Sequence, residues 1–381
     1  MSGIAEPALP PTIVIRVDSG YQIGFGHVRR CLYLAIFLKE NGFRPVFICR
    51  KLAGDISHVI DRAGFDIIFL PENESLAFSV FNVDFSSASF DKMARDAKDS
   101  AISFAEEYPG VKIAWAVTDH LLIRAPWQTL FAKEMGCKIL AIDGQADAAH
   151  YANILLDPQI HETSEAKWAG LLPGSCVVFS GPSCLPLAPA FEVARNSAVV
   201  RTGSLTRVLV CFGGTDTEDI VYRTVRILLT WVKQNVKVGV DVAVPMNLLS
   251  IERLKELLAD HPWCQLHVGL DDLSSLMLAA DIAIGGGGIM LWERCVLGLP
   301  AIVVPLAQNQ EKPIARLENQ GAVVSLKLQD DKYELELIKA LCELVENPTA
   351  LRIMSKNAFR IMSDWPETNG WLRIMKGNTH E

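Results

Sequence analysis

Residues 16–31, RVDSGYQIGFGHVRRC, combine residue types that can activate water. Gly24 and Gly26 permit backbone turns and the close approach of a ligand, which a side chain would block. His27 comes next, at the predicted start of a helix, where free N–H groups and the helix dipole favour an anion. A histidine there can take a proton from water near neutral pH. An isolated GFGH is typical of a tight turn with a histidine at a helix cap, but the whole string favours a reactive site.

Two arginines follow His27 in the first turn of the predicted helix. Positive charge at that end of a helix is disfavoured by ~0.3–1 kcal/mol. Arg29 and Arg30 therefore predict a compensating negative group, for which either Asp18 or a bound phosphate would serve.

Two glycine-rich segments follow predicted strands in the second half of the chain. In VCFGGTDTED, Gly213 and Gly214 offer backbone N–H groups and Thr215 offers a hydroxyl to a phosphate, although an ordinary helix cap has the same composition. The four glycines at 285–288 cost chain entropy, and we expect them to serve the close approach of a diphosphate rather than packing. Glu293, one turn into the next helix, either accepts hydrogen bonds from two ribose hydroxyls or suits the helix dipole.

Polar residues after other predicted strands are weaker candidates. Asn309 and Gln310 follow the strand at 301–304 and are expected at the same end of the sheet. Asp119, His120 and Asp143 also follow strands, where a capping role is almost as good an interpretation. The remaining histidines have no metal-ligand spacing, so no zinc site is predicted.

The elements that must position these residues alternate between short β-branched runs and helix-period stretches, which predicts an α/β fold with parallel sheets. Strands are predicted at 13–17, 45–49, 66–70, 113–117 and 138–142, and then at 207–212, 238–244, 265–268, 282–284, 301–304 and 322–326. The pattern lapses at 171–190. We predict two Rossmann-like, doubly wound domains, 12–190 and 200–350, that face each other across a cleft. Helices at 351–381 are expected to cross back to the N-terminal domain, with 348–375 as helix.

Composition narrows the class of function. Among 381 residues, 50% are hydrophobic and the net charge is -8, which favours a globular protein and argues against a broad nucleic-acid surface. Nine scattered cysteines without CxxC spacing favour a reducing cytosol. No secretory signal or membrane span is expected. We therefore expect a cytoplasmic protein with a small-molecule partner.

The chain resembles the UDP-2,4-diacetamido-2,4,6-trideoxy-β-L-altropyranose hydrolases of the pseudaminic acid pathway, which have the two-domain GT-B fold. The resemblance is carried by R-x-D-S-x-x-Q-I-G-F-G-H-x-x-R-C, by FGGTD and by GGGG-x-x-x-WERC-x-LGLP with the later NQ. It implies hydrolysis of a UDP-linked sugar, without a metal or other cofactor, as water attacks the anomeric carbon. His27 would handle water, with Asn309 near the sugar as the second catalytic candidate.

The other candidate residues divide between the two ends of the substrate. The substrate-binding candidates are Asp18, Tyr21, Gln22, Ile23, Gly24, Phe25, Gly26, Arg29, Asp119, His120 and Gln310. The nucleotide-binding candidates are Gly213, Gly214, Thr215, Gly269, Leu273, Gly286, Gly287, Gly288, Ile289 and Glu293.

Several positions depart from the family pattern. Leu121 replaces a tyrosine of the sugar site, and Ile289, Met290 and Leu291 replace hydroxyl residues after the glycine run. The segment at 181–191 lacks the usual tyrosine, arginine and glutamate, with Ala188 at one of the changed positions. A changed sugar, nucleotide or reaction therefore stays open. The leading hypothesis is a nucleotide-sugar hydrolase, and the alternatives are a GT-B glycosyltransferase and a non-catalytic nucleotide-sugar binding subunit.

Overall fold

The chain forms two compact units, one made of Met1–Pro186 with Asn369–Glu381 and the other of Leu187–Thr368. The structure, a computed structural model, describes residues 9–21, 23–71, 87–160, 164–201, 205–214, 219–235, 238–246, 248–328, 332–366 and 370–377. In each unit, the strands of these residues pair in parallel throughout.

The first unit is built on a seven-stranded sheet in the order β3-β2-β1-β4-β5-β6-β7. Its strands are β1 (Thr12–Arg16), β2 (Arg44–Cys49), β3 (Asp66–Phe69), β4 (Ile113–Thr118), β5 (Lys138–Ile142), β6 (Ile154–Asp157) and β7 (Val177–Ser180). Its helices are α1 (Gly26–Glu40), α2 (His58–Arg62), α3 (Ser87–Glu107), α4 (Ala125–Met135) and α5 (Ser164–Trp168). A later helix, Gly370–Met375, also belongs to this unit.

The two faces of the first sheet are covered by different helices. Ile13 and Ile15 of β1 pack in the cluster that includes α1, whereas Val14 packs in the cluster that includes α3 and α4. This alternation is the period of two expected of a strand. Arg16 shares the parity of Val14, and its side chain accordingly binds Asp96 of α3, which also accepts from the Trp127 indole of α4.

The second unit has a six-stranded sheet in the order β10-β9-β8-β11-β12-β13. Its strands are β8 (Arg207–Cys211), β9 (Gly239–Val244), β10 (Cys264–Val268), β11 (Ile282–Gly286), β12 (Ala301–Val304) and β13 (Val323–Ser325). Its helices are α6 (Pro189–Arg195), α7 (Ile220–Asn235), α8 (Ile251–Leu258), α9 (Ser274–Ala279), α10 (Met290–Val296), α11 (Gln308–Asn319), α12 (Tyr333–Glu346) and α13 (Pro348–Ile361). The helix Gly370–Met375 is α14.

Each sheet has one point at which the direction of strand order reverses. It lies between β1 and β4 in the first sheet and between β8 and β11 in the second. Ligands of open α/β sheets bind outside the carboxyl ends of the strands at such a point. The segment that leads to His27 follows β1, and the run at 285–288 begins in β11, so both lie at these ends.

The α/β fold class and the eleven predicted strands are confirmed, with bounds that differ by at most two residues. Two strands were not predicted. β7 is a four-residue edge strand inside the stretch where the pattern lapses, and β6 is equally short. The single helix predicted at 348–375 is wrong as one element, because α13 ends at Ile361 and α14 begins at Gly370. Pro366 lies between them and cannot continue a helix.

No helix among the described residues is long and apolar enough to span a membrane.

A buried tryptophan helps to anchor the final helix to the first unit. Trp371 is fully buried, lies 5.7 Å from the Phe37 ring centroid and donates its indole N–H to the Cys184 carbonyl at 2.9 Å. We expect Trp371→Ala to lower the free energy of unfolding of the first unit by about 3–5 kcal/mol, because it leaves a cavity and an unpaired carbonyl. Urea denaturation measures this loss.

The matched control is Arg373→Ala, an exposed position on the same helix. It should change the free energy of unfolding by no more than about 0.5 kcal/mol. Equal effects of the two substitutions would contradict the anchoring role of the indole.

Candidate active site

A buried carboxylate joins His27 to Arg30 at the switch point of the first sheet. Asp119 follows β4, and its Oδ1 lies 2.7 Å from Nδ1 of His27. Arg30 donates from Nε and Nη2 to the two oxygens of the same carboxylate, at 2.7 and 2.6 Å. Because His27 and Arg30 lie three residues apart on α1, they share one face of the helix and meet the same partner.

This arrangement decides which imidazole nitrogen of His27 carries a proton. Burial by itself raises the pKa of Asp119, but the charge of Arg30 and the hydrogen bonds from His27 and Arg30 hold that pKa well below its usual range. An ionised carboxylate only accepts, so Nδ1 of His27 donates to it. In the neutral imidazole, Nε2 then carries the lone pair. The side chain of His27 is 17% exposed.

The anion that compensates Arg30 is Asp119, and the prediction that Asp18 or a phosphate would do so is wrong for this arginine. Asp119 is 89 residues away in sequence. Arg30 was missed as a site residue, although its three-residue spacing from His27 was the available signal. Arg29 is half-buried on the same turn.

Asp18 and His120 lie in a buried network next to this site. Asp18 accepts from Nη1 and Nη2 of Arg16 at 2.5 and 2.8 Å, and from the backbone N–H of Arg50 at 2.7 Å. Nε2 of His120 lies 3.4 Å from its Oδ2, and Nδ1 of His120 accepts from the backbone N–H of Leu122. Burial lowers the pKa of His120, so the ring is neutral. Both predicted substrate-binding side chains are thus engaged inside the protein.

The same network reaches the helices behind the sheet. Arg16 also binds Asp96 of α3, from Nε at 3.0 Å and Nη2 at 2.9 Å. Asp96 accepts as well from Nε of Arg50 and from the Trp127 indole, each at 2.8 Å. The loop after β1, the loop after β2, α3 and α4 are therefore held by one cluster of charges.

The loop that leads to His27 is held by backbone contacts. Gly20 and Gly24 pair as an antiparallel bridge, with Gly24 at φ +79°. The N–H of Tyr21 donates to the carbonyl of Ala53, and its ring, 63% exposed, lies against Gly54 where a Cβ would be 2.6 Å away.

The remaining predicted residues of this loop differ in exposure. Ile23 is half-buried, and Gly26 is exposed where α1 begins. The ring of Phe25 is buried in the core of the first unit. The Phe25 ring is therefore not exposed for the substrate contact that the sequence predicts. Gln22 lies outside the described residues.

Three glycines of the run in the second unit, 285–287, are required by packing, which was not expected from the sequence. A Cβ on Gly285 would lie 1.8 Å from the carbonyl oxygen of Cys211, and one on Gly286 would lie 2.9 Å from that of Phe212. A Cβ on Gly287 would meet the Gln310 side chain at 2.9 Å. The statement that the run serves no packing purpose is therefore wrong. Gly288 is the member with open space around it and a positive φ, +80°.

Gln310 holds this run from the inside. Its Oε1 accepts from the N–H of Gly287 at 3.2 Å and from the N–H of Leu306 at 3.0 Å. The Gly287 amide is therefore already hydrogen-bonded within the protein. Asn309, the neighbouring residue in the first turn of α11, is exposed.

The other nucleotide-binding candidates also belong to the second unit. Gly213 has φ +93° and lies close to Met290, Gly214 is half-buried, and Thr215 lies outside the described residues. Ile289 is half-buried just before α10, whereas Glu293 on that helix is 4% exposed.

Two further candidates lie after β10. Gly269 has φ +68° and rests against Met246, and Leu273 is half-buried just before α9. The structure brings the candidates into two groups, one in each unit.

A second histidine–aspartate pair in the first unit is closed. His150 lies between Asp143, at 3.0 Å from its Nε2, and Gln128, at 3.0 Å from its Nδ1. Both ring nitrogens are used, so this pair is structural. Within the described ranges, no group of three or more His, Cys, Asp or Glu side chains could hold a metal ion.

The buried Asp119 makes the stability of the first unit depend on pH. Its folded pKa lies below the usual value, so its stabilising effect is complete above about pH 5 and is lost as the pH falls through about 4 and below. We expect Asp119→Asn to lower the free energy of unfolding by about 3 kcal/mol at pH 7, because Arg30 loses its carboxylate. Urea denaturation between pH 7 and pH 3 should show that the difference in free energy of unfolding between wild type and Asp119→Asn becomes smaller as the pH falls.

Asp66→Asn is the control, since Asp66 pairs with Arg44 at an exposed site of the same unit. Its effect should stay within about 1 kcal/mol. If the difference in free energy of unfolding between wild type and Asp119→Asn does not change with pH, Asp119 is not an ionised carboxylate in the folded protein.

Comparison with known proteins gives the class of fold and the relatives. The model of the glycosyltransferase family 28 C-terminal domain matches residues 209–365, within the second unit. The calicheamicin glycosyltransferase CalG4 is similar in structure, with a TM-score of 0.62 and 14% sequence identity over 97% of each chain. The fold is therefore GT-B.

Two curated relatives extend over most of the chain. The spore coat polysaccharide biosynthesis protein SpsG of Bacillus subtilis (strain 168) is 24% identical over 92% of this chain and 89% of its own. The UDP-2,4-diacetamido-2,4,6-trideoxy-β-L-altropyranose hydrolase of Campylobacter jejuni is 22% identical over 83% of this chain and 99% of its own. The resemblance seen in the motifs is confirmed: the chain has the GT-B fold and is a diverged relative of this hydrolase.

Proposed function

We propose that the chain hydrolyses a nucleotide-activated sugar, with a UDP-linked amino or deoxy sugar as the expected substrate. The observation that carries the proposal is the hydrogen bond between Asp119 and Nδ1 of His27. It leaves Nε2 of a partly exposed histidine as a proton acceptor at the switch point of a parallel sheet. A base in that position is what attack by water requires.

The proposed reaction is a single displacement at the anomeric carbon. Nε2 of His27 takes one proton from water as the water oxygen bonds to C1. The bond between C1 and the diphosphate oxygen breaks, and its electron pair leaves with the nucleoside diphosphate. Attack opposite the leaving group inverts the anomeric configuration. Asp119 stabilises the imidazolium that forms, and Arg30 holds Asp119 in place.

The leaving group is assigned to the second unit. We infer that Gly213, Gly214 and Gly288 approach the diphosphate and that Glu293 binds the ribose. The match of residues 209–365 to a glycosyltransferase domain supports this assignment, as does the UDP-sugar named for the Campylobacter relative. We propose that Asn309 acts near the sugar. The resemblance implies that no metal takes part, which activity in excess EDTA tests.

The product is proposed to feed the synthesis of a nonulosonic acid or another surface glycan. The name of the Bacillus relative, a spore coat polysaccharide biosynthesis protein, supports a surface glycan. Cytoplasmic action is part of the proposal, and the nine free cysteines support a reducing compartment.

The second candidate is a glycosyltransferase that moves the sugar to an acceptor. It is favoured by the family 28 domain match and by the structural similarity to CalG4. The two functions differ in whether an acceptor must be present before the donor sugar reacts. A hydrolase releases nucleoside diphosphate from the donor alone, whereas a transferase needs an acceptor.

We expect a panel of UDP-sugars to include one from which the purified protein alone releases UDP and a free reducing sugar. In H₂¹⁸O the label should enter the sugar and not the UDP, because the C1–O bond is the one that breaks. Mass spectrometry of the two products measures this. Release that occurs only with an added acceptor would favour the transferase, and no release from any donor would sink both enzyme hypotheses.

His27→Gln should lower kcat by about 10²- to 10⁴-fold, because the amide cannot accept a proton from water. KM should change little. The control is His58→Gln, an exposed histidine of the same unit, which should keep wild-type kcat. Full activity of His27→Gln would remove His27 as the proposed base and would assign the proton transfer to another group.

A further inference from the structure

A buried arginine lies beneath the glycine-rich loops of the second unit. The side chain of Arg294, on α10, is 1% exposed. Its Nη1 donates to the carbonyl of Gly286 at 2.9 Å, and its Nη2 donates to the carbonyl of Cys211 at 3.0 Å. One guanidinium thus joins the carboxyl ends of β8 and β11, the strands on either side of the switch point.

The charge of Arg294 is not neutralised by an ion pair with any carboxylate of the described residues. Its hydrogen bonds go to backbone carbonyls, and its Nε is buried without a partner. Burial lowers its pKa, while the nearby Cys211 and Glu293 partly oppose this. Because an uncompensated buried charge is costly, its retention at a ligand-binding position of the fold calls for a reason.

The glycine run is shaped around this guanidinium. A Cβ on Gly285 would lie 2.6 Å from Nη2 of Arg294 as well as 1.8 Å from the Cys211 carbonyl. Gly285 pairs directly with Cys211 in the sheet. The absence of a side chain at Gly285 therefore lets the cation lie at the carboxyl ends of β8 and β11, from which the loops 213–214 and 285–288 continue.

We propose that Arg294 is a positioning residue that holds the two glycine-rich loops and supplies the positive charge that attracts the diphosphate of the ligand. It acts from beneath the loops and makes no direct contact with the ligand. The inference rests on the proposed function. It adds a physical reason for the second unit to bind the diphosphate, namely the charge of Arg294. Because this charge is buried, water screens it less than it would screen a surface charge.

The second unit contains a matched control for this role. Arg201 is also buried and also donates to backbone carbonyls, among them those of Met277, Ala280 and Leu297. These carbonyls precede β11 or follow α10, so Arg201 lies at the amino end of β11 and Arg294 at its carboxyl end. Loss of either cation should affect stability, but only Arg294 should affect anion binding.

The test measures the affinities of the full chain for UDP and for uridine, which share a base and ribose but differ in charge. In Arg294→Gln, which keeps an amide donor but loses the charge, UDP affinity should fall on the order of tenfold. Uridine affinity should stay within about twofold. Arg294→Lys keeps the charge, so its ratio of UDP to uridine affinity should stay within about threefold of wild type. Arg201→Gln should keep the wild-type ratio.

Several results would overturn the inference. Equal losses of UDP and uridine affinity in Arg294→Gln would mean that Arg294 only supports the fold. A wild-type protein that binds UDP no better than uridine would mean that no anion preference exists. If Arg294→Gln does not fold, Arg294→Lys decides, and loss of the affinity ratio in that folded variant overturns the proposal.

Failure of the hydrolase proposal gives a different result. It would appear as no UDP release from any donor, with the difference between UDP and uridine affinity unchanged.

Discussion

The candidate site of the first unit depends on the buried guanidinium of Arg16. It binds Asp18 on the loop after β1 and Asp96 on α3. Desolvation of such a cluster costs several kcal/mol per ion, so it is weak evidence for net stability. Its effect is geometric. Because Asp96 also binds Arg50 and the Trp127 indole, the first two strand-end loops cannot shift against α3 and α4 without breaking charged hydrogen bonds.

The two units use charge in opposite ways. In the first unit, the cation of Arg30 is paired with Asp119, and the pair orients the imidazole of His27. In the second unit, the cation of Arg294 is bonded to carbonyls alone, and its charge is left to act on its surroundings. A proton acceptor needs a fixed tautomer, whereas an anion site needs net positive potential. Arg30, which is paired with a carboxylate, therefore suits the proposed proton-acceptor site, and Arg294, which is not, suits the proposed anion site.

The sequence predicted local features well and distant contacts poorly. Periodicity predicted α1, the parallel strands and the place of His27 at the start of α1, because each depends on neighbouring residues. The partner of Arg30 could not be read in this way, since helix spacing defines a face but not which carboxylate meets it. The requirement for glycine at position 285 also comes from a residue distant in sequence, because the backbone carbonyl of Cys211 leaves no room for a Cβ there. β7 was missed although VVFS is an apolar run, because the strand has only four residues and lies within the proline- and glycine-rich stretch at 171–190.

The docking of α14 on the first unit has a consequence for synthesis on the ribosome. The side chains of Trp371 and Met375 complete a core whose remaining buried residues end at Leu185, and the 182 residues of Leu187–Thr368 are made in between. At about 5–20 residues per second, translation of that stretch takes roughly 9 to 36 s. For this interval the apolar side of α1 around Phe37 lacks its cover. A nascent chain in this state presents a hydrophobic surface to chaperones, and the second unit can fold before the first is complete.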